Sequence, residues 1–570
     1  MINTTILKYK IQSIQSIQMS DVISSLLKNI TERKDPPKVF SRTILSNKTR
    51  AKLLRYQEGS VVRLINILLQ KSIALDASDT GVGKTYMAIA VCAELGLRPI
   101  IICPKTLIYN WINVCEFFEI KAYDIVNYET LKAGKTYSNL KFNSRITCPY
   151  VKLTKDPLPD EDPLKEYCAH YTWTVKPDSI VIFDEAHRAK NPSKHNGKLL
   201  LSVKQLILKK IPVLVLSATI CEKFTDMKIL FNLFSLIPSI RNFNHYIRSI
   251  KQRYPQYKIK KSSYATPIEQ KIAEDNSKAM MIYEEIKDFT TRIRIKDLGD
   301  KFPSNQVCCQ QFVAPESEEI SRAYEKMDKY IQKLKNNPGN HILGQITKLK
   351  QEIELRKVPI FIEQAQLYMD EGKSVVIFVN YLNTLKILVK QLAVFCVVYG
   401  GQTMEQRQEA IDLFQSNAEN IIVCQMRAGG IGIGLHDIHG NKPRVSLINF
   451  PNSGTELLQA LGRIHRSGGK TPSLQRIIFV ANVEYEKKIM QNINRKLINL
   501  SAINDGDLQG NKYAVKKITR KKIVEESESE SESESESESE SENKSESESE
   551  SESESKSEPS DDDSDLVDSQ

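Results

Sequence analysis

Short apolar runs recur along this chain, and most are followed by a loop and then by a segment with helical spacing of apolar positions. Runs that are apolar at successive positions, rather than alternating, are typical of strands buried on both faces of a parallel sheet. A long stretch of helical pattern separates two groups of runs, so the sequence predicts two α/β units. The runs lie at 73–75, 99–103, 122–127, 179–183 and 213–216 in the first group, and at 374–379, 397–401, 420–424 and 445–450 in the second.

The same pattern predicts the domain organisation. The polar stretch 1–50 is expected to be a peripheral lead-in, followed by a first α/β lobe over 51–240. The range 241–372 is rich in Lys and Glu at helical spacing and is predicted to be a helical connector, and 373–505 is predicted to be a second α/β lobe. Within the first lobe, 132–178 is rich in Lys, Pro and Tyr without a clear period, which indicates an insertion.

The loop after the first apolar run carries the chemistry of a phosphate site. It reads Ala-Ser-Asp-Thr-Gly-Val-Gly-Lys-Thr between a predicted strand and a predicted helix. Gly81 and Gly83 let backbone N–H groups curl around phosphate oxygens, and the helix N-terminus adds its positive dipole end. Lys84 is expected to reach the β- and γ-phosphates, and the Thr85 hydroxyl to ligate Mg²⁺. A plain glycine turn is the alternative, and the ending Gly-Lys-Thr favours the nucleotide site. The first position of the general pattern is Ser78 instead of Gly.

Two adjacent carboxylates end the fourth apolar run. An Asp-Glu pair is usually a solvated surface feature, but Asp184 and Glu185 follow a buried strand, and parallel sheets bind ligands at the C-terminal ends of their strands. Asp184 would hold Mg²⁺ through water, and Glu185 would orient and deprotonate the attacking water. The pair therefore predicts the second half of an ATPase site.

Three further residues extend this prediction. Gln57 lies upstream of the phosphate loop, where its amide can present both a donor and an acceptor to adenine. Arg463 and Arg466 lie three positions apart in a predicted helix over 456–466 and would share one face. Two such arginines are normally a solvated face, but behind a second α/β lobe they are candidate arginine fingers for the nucleotide of the first lobe.

The net charge of +10 conceals a strong asymmetry. The range 525–570 carries −19, so the rest of the chain carries +29, from 78 Lys+Arg against 49 Asp+Glu. A body this basic indicates a polyanionic partner, most often nucleic acid, with a merely soluble lysine-rich surface as the alternative. The Ser-Glu alternation after 525 cannot bury a core, so a disordered acidic tail is expected, serving solubility or docking a basic partner protein. The basic segment 506–524 contains a cluster at 516–522, which is either a nuclear-import signal or a nucleic-acid or tail contact.

Other classes of function receive little support. No apolar run approaches the roughly 18 residues of a membrane span, so no membrane partner is expected. The ten cysteines are scattered, and several fall in apolar runs, which fits reduced thiols in an intracellular protein. Cys148, Cys168 and His170 form a weak candidate metal group, because their spacing matches no strong zinc pattern.

As an ordered set, these motifs resemble those of the superfamily-two helicases and translocases, and within them the Swi/Snf-type ATPases, over most of residues 50–500. The resemblance implies two RecA-like parallel-sheet lobes in tandem, ATP and Mg²⁺ as cofactors, and ATP-driven movement along nucleic acid, with DNA favoured over RNA. The segments that carry it are Tyr56-Gln57, Thr80 to Thr85, Cys103-Pro104-Lys105 with Trp111, Asn127-Tyr128-Glu129, Asp-Glu-Ala-His-Arg-Ala-Lys-Asn at 184–191, Ser-Ala-Thr at 217–219, Arg-Ala-Gly-Gly at 427–430 and Gln459 to Arg466.

The resemblance also assigns roles by position. Gln57 would read adenine, and Glu185 would act as the base. The phosphate and metal site would comprise Thr80, Gly81, Gly83, Lys84, Thr85 and Asp184. The site would be completed across the cleft by Gln459, Arg463 and Arg466, while hydrolysis would be coupled to movement by His187, Ser217 and Thr219. The nucleic-acid backbone would be faced by Pro104, Lys105, Tyr128, Arg427 and Gly430.

Three departures from the Swi/Snf pattern leave the function open. Gly434 stands where Asn is frequent, 436–442 lengthens the following connection, and Ser-Gly-Gly replaces Ile-Gly-Gln at 467–469. The long connection resembles strawberry-notch-like and large-DNA-virus helicases. The expected location is intracellular, either the nucleus or a cytoplasmic viral factory or virion. The alternatives to a helicase or translocase are a nucleic-acid-stimulated NTPase that acts in transcription termination or remodels protein–DNA complexes without strand separation, and an inert nucleic-acid scaffold. The intact Lys84, Glu185 and Arg466 argue against the scaffold.

Overall fold

The computed structural model describes residues 44–139, 142, 144–154, 167, 169–220, 223–259, 267–299, 302–336, 340–429, 432–450, 453–505 and 515–517. The predictions for Gly430, Cys168, most of the lead-in and the whole acidic tail fall outside these residues.

The first lobe is a six-stranded sheet in which every neighbouring pair is parallel, with strand order β10-β1-β9-β8-β2-β3. Its α-helices and strands are α1 (Asn47–Arg50), α2 (Arg55–Lys71), β1 (Ile73–Asp76), α3 (Lys84–Leu95), β2 (Arg98–Cys103), α4 (Ile108–Phe117), β3 (Asp124–Asn127), α5 (Tyr128–Leu131), β4 (Lys135–Tyr137), β5 (Arg145–Thr147), β6 (Val151–Leu153), β7 (Tyr171–Trp173), β8 (Ser179–Asp184), α6 (His195–Ser202), α7 (Lys204–Leu208), β9 (Val213–Leu216), α8 (Lys228–Leu233), α9 (Phe243–Arg253), α10 (Pro267–Ile286) and β10 (Thr290–Thr291). Short 3₁₀ turns lie at Lys105–Leu107, Ala186–Ala189, Phe224–Met227, Ile240–Asn242, Pro255–Tyr257 and Lys287–Phe289.

Burial on both faces explains why the strands read as continuous apolar runs. In β8, Val181 and Phe183 belong to the core on one side of the sheet, and Ile180 and Ile182 belong to the core on the other. Within the predicted insertion at 132–178, the described residues form two antiparallel strand pairs, β4–β5 and β6–β7, which the irregular sequence pattern did not predict.

The second lobe is a seven-stranded sheet, again with parallel neighbours, in the order β13-β14-β12-β15-β16-β11-β17. Its elements are a 3₁₀ turn at Ile295–Asp297 that leads into it, β11 (Asn305–Phe312), α11 (Ser317–Asn336), α12 (Asn340–Leu355), α13 (Val358–Asp370), β12 (Ser374–Val379), α14 (Leu382–Gln391), β13 (Cys396–Val398), α15 (Met404–Gln415), β14 (Ile421–Gln425), α16 (Met426–Gly429), β15 (Arg444–Asn449), α17 (Gly454–Leu461), β16 (Ser473–Val480), α18 (Glu484–Asp505) and β17 (Val515–Lys517). The two parallel sheets confirm the predicted fold class.

The range predicted as a helical connector contains two strands besides its helices. β10 pairs with β1 in the first sheet, and β11 pairs with β16 over eight residues in the second. Helices α12 and α13 of this range are separate, because Pro359 at the start of α13 lacks an N–H and the residue before a proline disfavours helical angles. In the described part of the chain, no helix combines the length and apolar character that a membrane crossing requires.

Candidate ATP site between the two lobes

The phosphate loop joins β1 to α3 in the predicted strand–loop–helix order. Gly81 and Gly83 both have φ of +91°, a left-handed conformation that side chains resist, and Gly83 is the N-cap of α3. A Cβ on Gly83 would lie 2.2 Å from Gln57 Nε2, and one on Gly81 would lie 3.0 Å from Arg466 Cγ. Both glycines are therefore required by backbone conformation and by close neighbours.

Lys84 is partly buried at the start of α3, and its side chain reaches across the loop. Its Nζ donates to the backbone oxygens of Ser78 at 2.8 Å and Asp79 at 3.0 Å. Burial lowers the pKa of Lys84, although the carboxylates of Asp76 and Glu185 act in the opposite direction. Thr85 follows in the first turn of α3 and is partly buried. The departure at Ser78 has a structural use, because its hydroxyl accepts a hydrogen bond of 3.0 Å from the Ile293 N–H.

Asp184 is held at the end of β8 by three groups. Trp111 Nε1 donates to one carboxylate oxygen at 2.9 Å, and the Glu185 N–H donates to the other at 2.8 Å. The Tyr128 hydroxyl donates to the backbone oxygen of Asp184 at 2.8 Å. Burial, and then the neighbouring charge of Glu185, raise the pKa of Asp184. The carboxylate is thus fixed in direction before any metal binds.

Glu185 begins a hydrogen-bonded chain that reaches the second lobe. Its φ is +50°, an uncommon left-handed conformation that turns the side chain out of the strand. His187 Nδ1 lies 3.3 Å from Glu185 Oε2 and 3.4 Å from Ser217 Oγ, and His187 Nε2 lies 3.3 Å from Gln459 Nε2. Burial acts to raise the pKa of Glu185, but His187 and nearby cations outweigh it and lower the pKa to about 2.

Thr219, the third predicted coupling residue, does not take part in the hydrogen bonds that join Glu185, His187, Ser217 and Gln459. Its hydroxyl is buried and has no hydrogen-bond partner among the described residues. Asp76, which the sequence reading did not single out, is fully buried beside the phosphate loop, and burial raises its pKa. One of its carboxylate oxygens is likewise without a partner in the described chain.

The positions of Arg463 and Arg466 differ from the sequence prediction, which placed both on one face of a helix. Helix α17 ends at Leu461, so Arg463 and Arg466 lie on the turns that follow and not on one helical face. The helix stops at Gly462, where a Cβ would lie 2.2 Å from Thr80 Oγ1 of the first lobe. Glycine is a poor helix former, and here its lack of a side chain admits the phosphate loop.

Both guanidinium groups are nevertheless held close to Glu185. Arg463 Nε donates to the backbone oxygen of Gln459 at 2.6 Å, and Arg466 Nε donates to the backbone oxygen of Gly462 at 2.9 Å. The charge of Arg463 helps to lower the pKa of Glu185. Burial lowers the pKa of both arginines, and the charge of Glu185 acts in the opposite direction on each. Burial lowers the pKa of Arg466 to about 10, so it stays a cation at neutral pH.

The second lobe touches the phosphate loop directly. The Ser467 N–H donates to the Gly81 oxygen at 3.3 Å, and the Ser467 hydroxyl lies 3.3 Å from the Tyr56 hydroxyl. Ser467 is the first residue of the unusual Ser-Gly-Gly segment. This departure therefore forms part of the contact between the lobes.

Gln57 supports the phosphate loop from the first lobe. Its Nε2 donates to the Val82 oxygen at 2.8 Å, and its Oε1 accepts from the Leu54 N–H at 2.9 Å. The side chain is 3% exposed. These contacts fix the loop, and the reading of adenine by Gln57 stays a prediction.

The residues predicted to face nucleic acid divide into two groups. Lys105 is exposed and Arg427 lies in an exposed position beside Glu456, at 3.5 Å between Arg427 Nε and Glu456 Oε1. Pro104 and Tyr128 are buried, and Tyr128 is fully enclosed beneath Asp184. A side chain without exposed surface does not reach a phosphate backbone, so in this conformation Tyr128 supports the metal-binding carboxylate instead. Gly430 lies outside the described residues.

The donor set fits Mg²⁺ bound with ATP. Mg²⁺ prefers oxygen ligands and is usually held by one or two carboxylates with substrate phosphates, and Thr85 and Asp184 supply a hydroxyl and a carboxylate. The left-handed glycines and the N-terminus of α3 form a cradle for phosphate that a Cβ would obstruct. The described residues contain no group of three or more His, Cys, Asp or Glu side chains placed to hold a metal by themselves. The weak metal group proposed around Cys148 includes Cys168, which is not described.

The cleft combines a phosphate loop and a metal-binding carboxylate from one parallel-sheet lobe with arginines from the other. This arrangement is typical of ATP-driven helicases and translocases. The chain belongs to the superfamily-two helicases, and it hydrolyses ATP to drive helicase or translocase activity. Residues 50–222 match the family described as type III restriction enzyme, res subunit, and residues 357–468 match the helicase conserved C-terminal domain.

A relative from a large DNA virus supports this membership. A protein of Acanthamoeba polyphaga mimivirus, described as a putative ATP-dependent RNA helicase, is 56% identical over 506 residues, which cover 88% of this chain and 93% of the relative. Two solved structures are more distant. The Sulfolobus solfataricus SWI2/SNF2 ATPase core in complex with dsDNA is 17% identical with a TM-score of 0.30, covering 83% of this chain and 96% of that one. S. cerevisiae Dbp5 bound to RNA and ADP BeF3 is 12% identical with a TM-score of 0.39, covering 83% and 94%. At these TM-scores the fold assignment rests on the strand order and the family matches.

Proposed function

We propose that the protein moves along nucleic acid by coupling ATP hydrolysis to the relative movement of its two lobes, with DNA as the favoured track. One observation carries this proposal: two segments predicted to face nucleic acid, one from each lobe, contact each other. A Cβ on Gly432 would lie 2.3 Å from Leu107 Cδ2, so the loop after Lys105 packs on the loop after Arg427. Lys105 and Arg427, the two exposed cations predicted to face nucleic acid, lie within a few positions of this contact along the chain. The body charge of +29 supports a polyanionic partner.

In this proposal Mg²⁺-ATP supplies the anhydride bond and the metal charge. Backbone N–H groups at the start of α3 and the Lys84 ammonium would hold the phosphates, while Thr85 and Asp184 would hold the metal. Glu185 would take the proton of the attacking water. Arg463 and Arg466 would stabilise negative charge on the γ-phosphate oxygens.

The contact from His187 to Gln459 suggests how hydrolysis is coupled to movement. His187 touches the base, Glu185, and at the same time reaches the second lobe through Gln459. A change in the separation of the lobes would break this contact and release the side chain that orients the base. The base and the arginines would therefore act together only when the lobes are closed.

RNA is the second candidate track, and the description of the mimivirus relative favours it. A nucleic-acid-stimulated NTPase that translocates or remodels protein–DNA complexes without strand separation is the third. All three share the ATP site, so they differ in which polymer stimulates turnover and in whether strands are displaced.

We expect DNA to stimulate ATP hydrolysis more than RNA of equal length, because the resemblance to the Swi/Snf-type ATPases favours DNA, and single- and double-stranded DNA are compared in the same assay. Lys105→Ala and Arg427→Ala should each raise the DNA concentration needed for half-maximal stimulation and reduce its salt dependence, since each removes one phosphate contact. Lys121→Ala, which removes an exposed cation away from the meeting loops, is the matched control. Steady-state ATPase assays beside strand-displacement assays provide the measurement.

Stimulation by RNA alone would replace DNA by RNA as the track. No stimulation by any polymer would contradict the proposal. Stimulation without strand displacement would leave translocation as the activity.

A further prediction concerns the acidic tail. Deleting 525–570 should tighten binding to random DNA at low salt, because a tethered charge of −19 competes with phosphate for the same lysines and arginines. The difference in DNA affinity between the full chain and the truncated protein should disappear as the screening length falls from about 10 Å at 0.1 M salt to about 3 Å at 1 M. Fluorescence anisotropy with a labelled random duplex measures both effects.

A tail of equal length with every Glu and Asp replaced by Gln and Asn is the matched control. It should behave like the deletion if charge is responsible, and like the full chain if bulk is responsible. Equal affinity of all three forms at low salt would leave solubility or docking of a basic protein as the role of the tail.

A further inference from the structure

Helix α18 belongs to the cores of both lobes. Its first part contributes Met490, Ile493 and Leu497 to the core of the second lobe. Its last turns contribute Ala502 and Ile503, which are 0% and 1% exposed, to the core of the first lobe. At 22 residues the helix is about 33 Å long, enough to run from one lobe into the other.

The end of α18 is joined to the phosphate loop through one arginine. Arg292 Nε lies 2.7 Å from Asp505 Oδ1, and Arg292 Nη2 lies 2.8 Å from Asp79 Oδ1. The remaining Nη1 of Arg292 donates to the Ala77 oxygen. The Asp505 side chain is 5% exposed, so this is a largely desolvated pair, and loss of one partner leaves the other charge buried.

The segment that carries Arg292 is bound along the phosphate loop by backbone hydrogen bonds. Ala77 N–H donates to the Thr291 oxygen, and Asp79 N–H donates to the Ile293 oxygen, both at 2.9 Å. In the opposite direction, Ile295 N–H donates to Asp79 Oδ2 at 2.9 Å, beside the contact of Ile293 N–H with Ser78 Oγ. Any displacement of Arg292 is therefore transmitted to the first residues of the phosphate loop.

A second contact joins the same helix end to the segment after β9. Asn504 Nδ2 donates to the Ala218 oxygen at 3.1 Å, and Asn504 is 4% exposed. Ala218 lies between Ser217, which contacts His187, and Thr219. Adjacent residues of α18 thus hold the two sides of the ATP site, the phosphate loop through Asp505 and the 217–219 segment through Asn504.

We propose that the C-terminal end of α18 is a positioning element that couples the closure of the two lobes to the geometry of the ATP site, with Asp505 and Asn504 as its working residues. The helix is anchored in the second lobe, so movement of that lobe shifts its end or strains its contacts. The phosphate loop and the 217–219 segment then receive the movement at the same time. The inference rests on the proposed stimulation of hydrolysis by nucleic acid.

Asp505→Asn and Asn504→Ala should each lower the ratio of stimulated to unstimulated ATP turnover, by about 3- to 30-fold, the range for substitutions within a coupling network. The ratio is the chosen readout because it does not depend on the fraction of active enzyme. The KM for ATP should change much less than the stimulated kcat. Glu484→Gln, an acid-to-amide change at the exposed beginning of the same helix, is the matched control and should leave the ratio unchanged.

A second measurement does not require activity. Hydrogen exchange in Asp505→Asn should accelerate at the amides of Asp79, Ile293 and Ile295, while amides in β8 and β9 keep their wild-type rates. Uniform acceleration would show a merely structural role and overturn the proposal. So would an unchanged stimulation ratio in both variants together with unchanged exchange. If the wild-type protein is not stimulated by any polymer, the proposed function fails, and the exchange pattern still decides this inference.

Discussion

Glu185→Gln is expected to bind ATP normally and to hydrolyse it at least ~100-fold more slowly, the lower range for removing a positioned base. The amide keeps the size of the side chain but cannot accept the proton of the attacking water. Burial acts to raise the pKa of Glu185, but the contact with His187 and the charges of Lys84 and Arg463 outweigh it and lower the pKa, which favours the ionised carboxylate. Steady-state turnover and equilibrium binding of labelled ATP are the measurements.

Two controls separate this effect from damage to the fold. Glu116→Gln makes the same change on an exposed position of the first lobe and should leave turnover unaltered. Lys84→Ala should give the opposite pattern, with weaker ATP binding, because its ammonium reaches across the phosphate loop. Near-normal turnover in Glu185→Gln would mean that another group is the base.

Arg466→Ala should lower turnover by about 10³-fold, the lower range for loss of an arginine finger, and weaken ATP affinity far less. The backbone oxygen of Gly462 accepts a hydrogen bond from the guanidinium and positions it. Burial lowers the pKa of Arg466, and the nearby charge of Glu185 acts in the opposite direction. The charge of Arg466 stabilises the transition state, in which negative charge builds on the transferred phosphoryl group, more than the ground state. The substitution should therefore lower kcat more than it weakens ATP binding. The measurements are kcat and the Kd for ATP on the full chain.

Arg466 also packs against Gly81, so the controls must address folding. Lys470→Ala removes a nearby exposed cation and should leave turnover unchanged. Arg466→Lys retains the charge and should recover only part of the loss, because an ammonium does not reproduce the guanidinium fork. Parallel losses of kcat and ATP affinity, with an unchanged unfolding midpoint, would contradict a transition-state role for Arg466.

The isolated first lobe is not a suitable test of the two-lobe site. A fragment that ends at residue 240 lacks β10, which pairs with β1 beside the phosphate loop. It also lacks Ala502 and Ile503, which complete the core on one face of the first sheet. Its loss of activity would therefore not distinguish missing arginines from an incomplete fold.

The sequence alone determined the parts of this protein that depend on neighbours along the chain. Continuous apolar runs identify strands covered on both faces, and glycines before Lys84 identify a phosphate loop. Both can be recognised because local backbone conformation and the spacing of buried positions depend on residues that are adjacent in the sequence. Asp184 and Glu185 follow from the same logic, since a strand delivers its C-terminal residues to the ligand edge of a parallel sheet. The class of two-lobe ATPases could therefore be predicted from the sequence.

Only the tertiary structure decided how distant segments complete the site. The close approach of Thr80 to Gly462 leaves no room for a side chain there, and Tyr128 is buried beneath Asp184. Arg292 and Asp505 carry no local motif, and they meet only because β10 joins the first sheet and α18 returns from the second lobe. Contacts between residues hundreds of positions apart are set by packing of whole elements, and no periodicity within a single sequence records that packing.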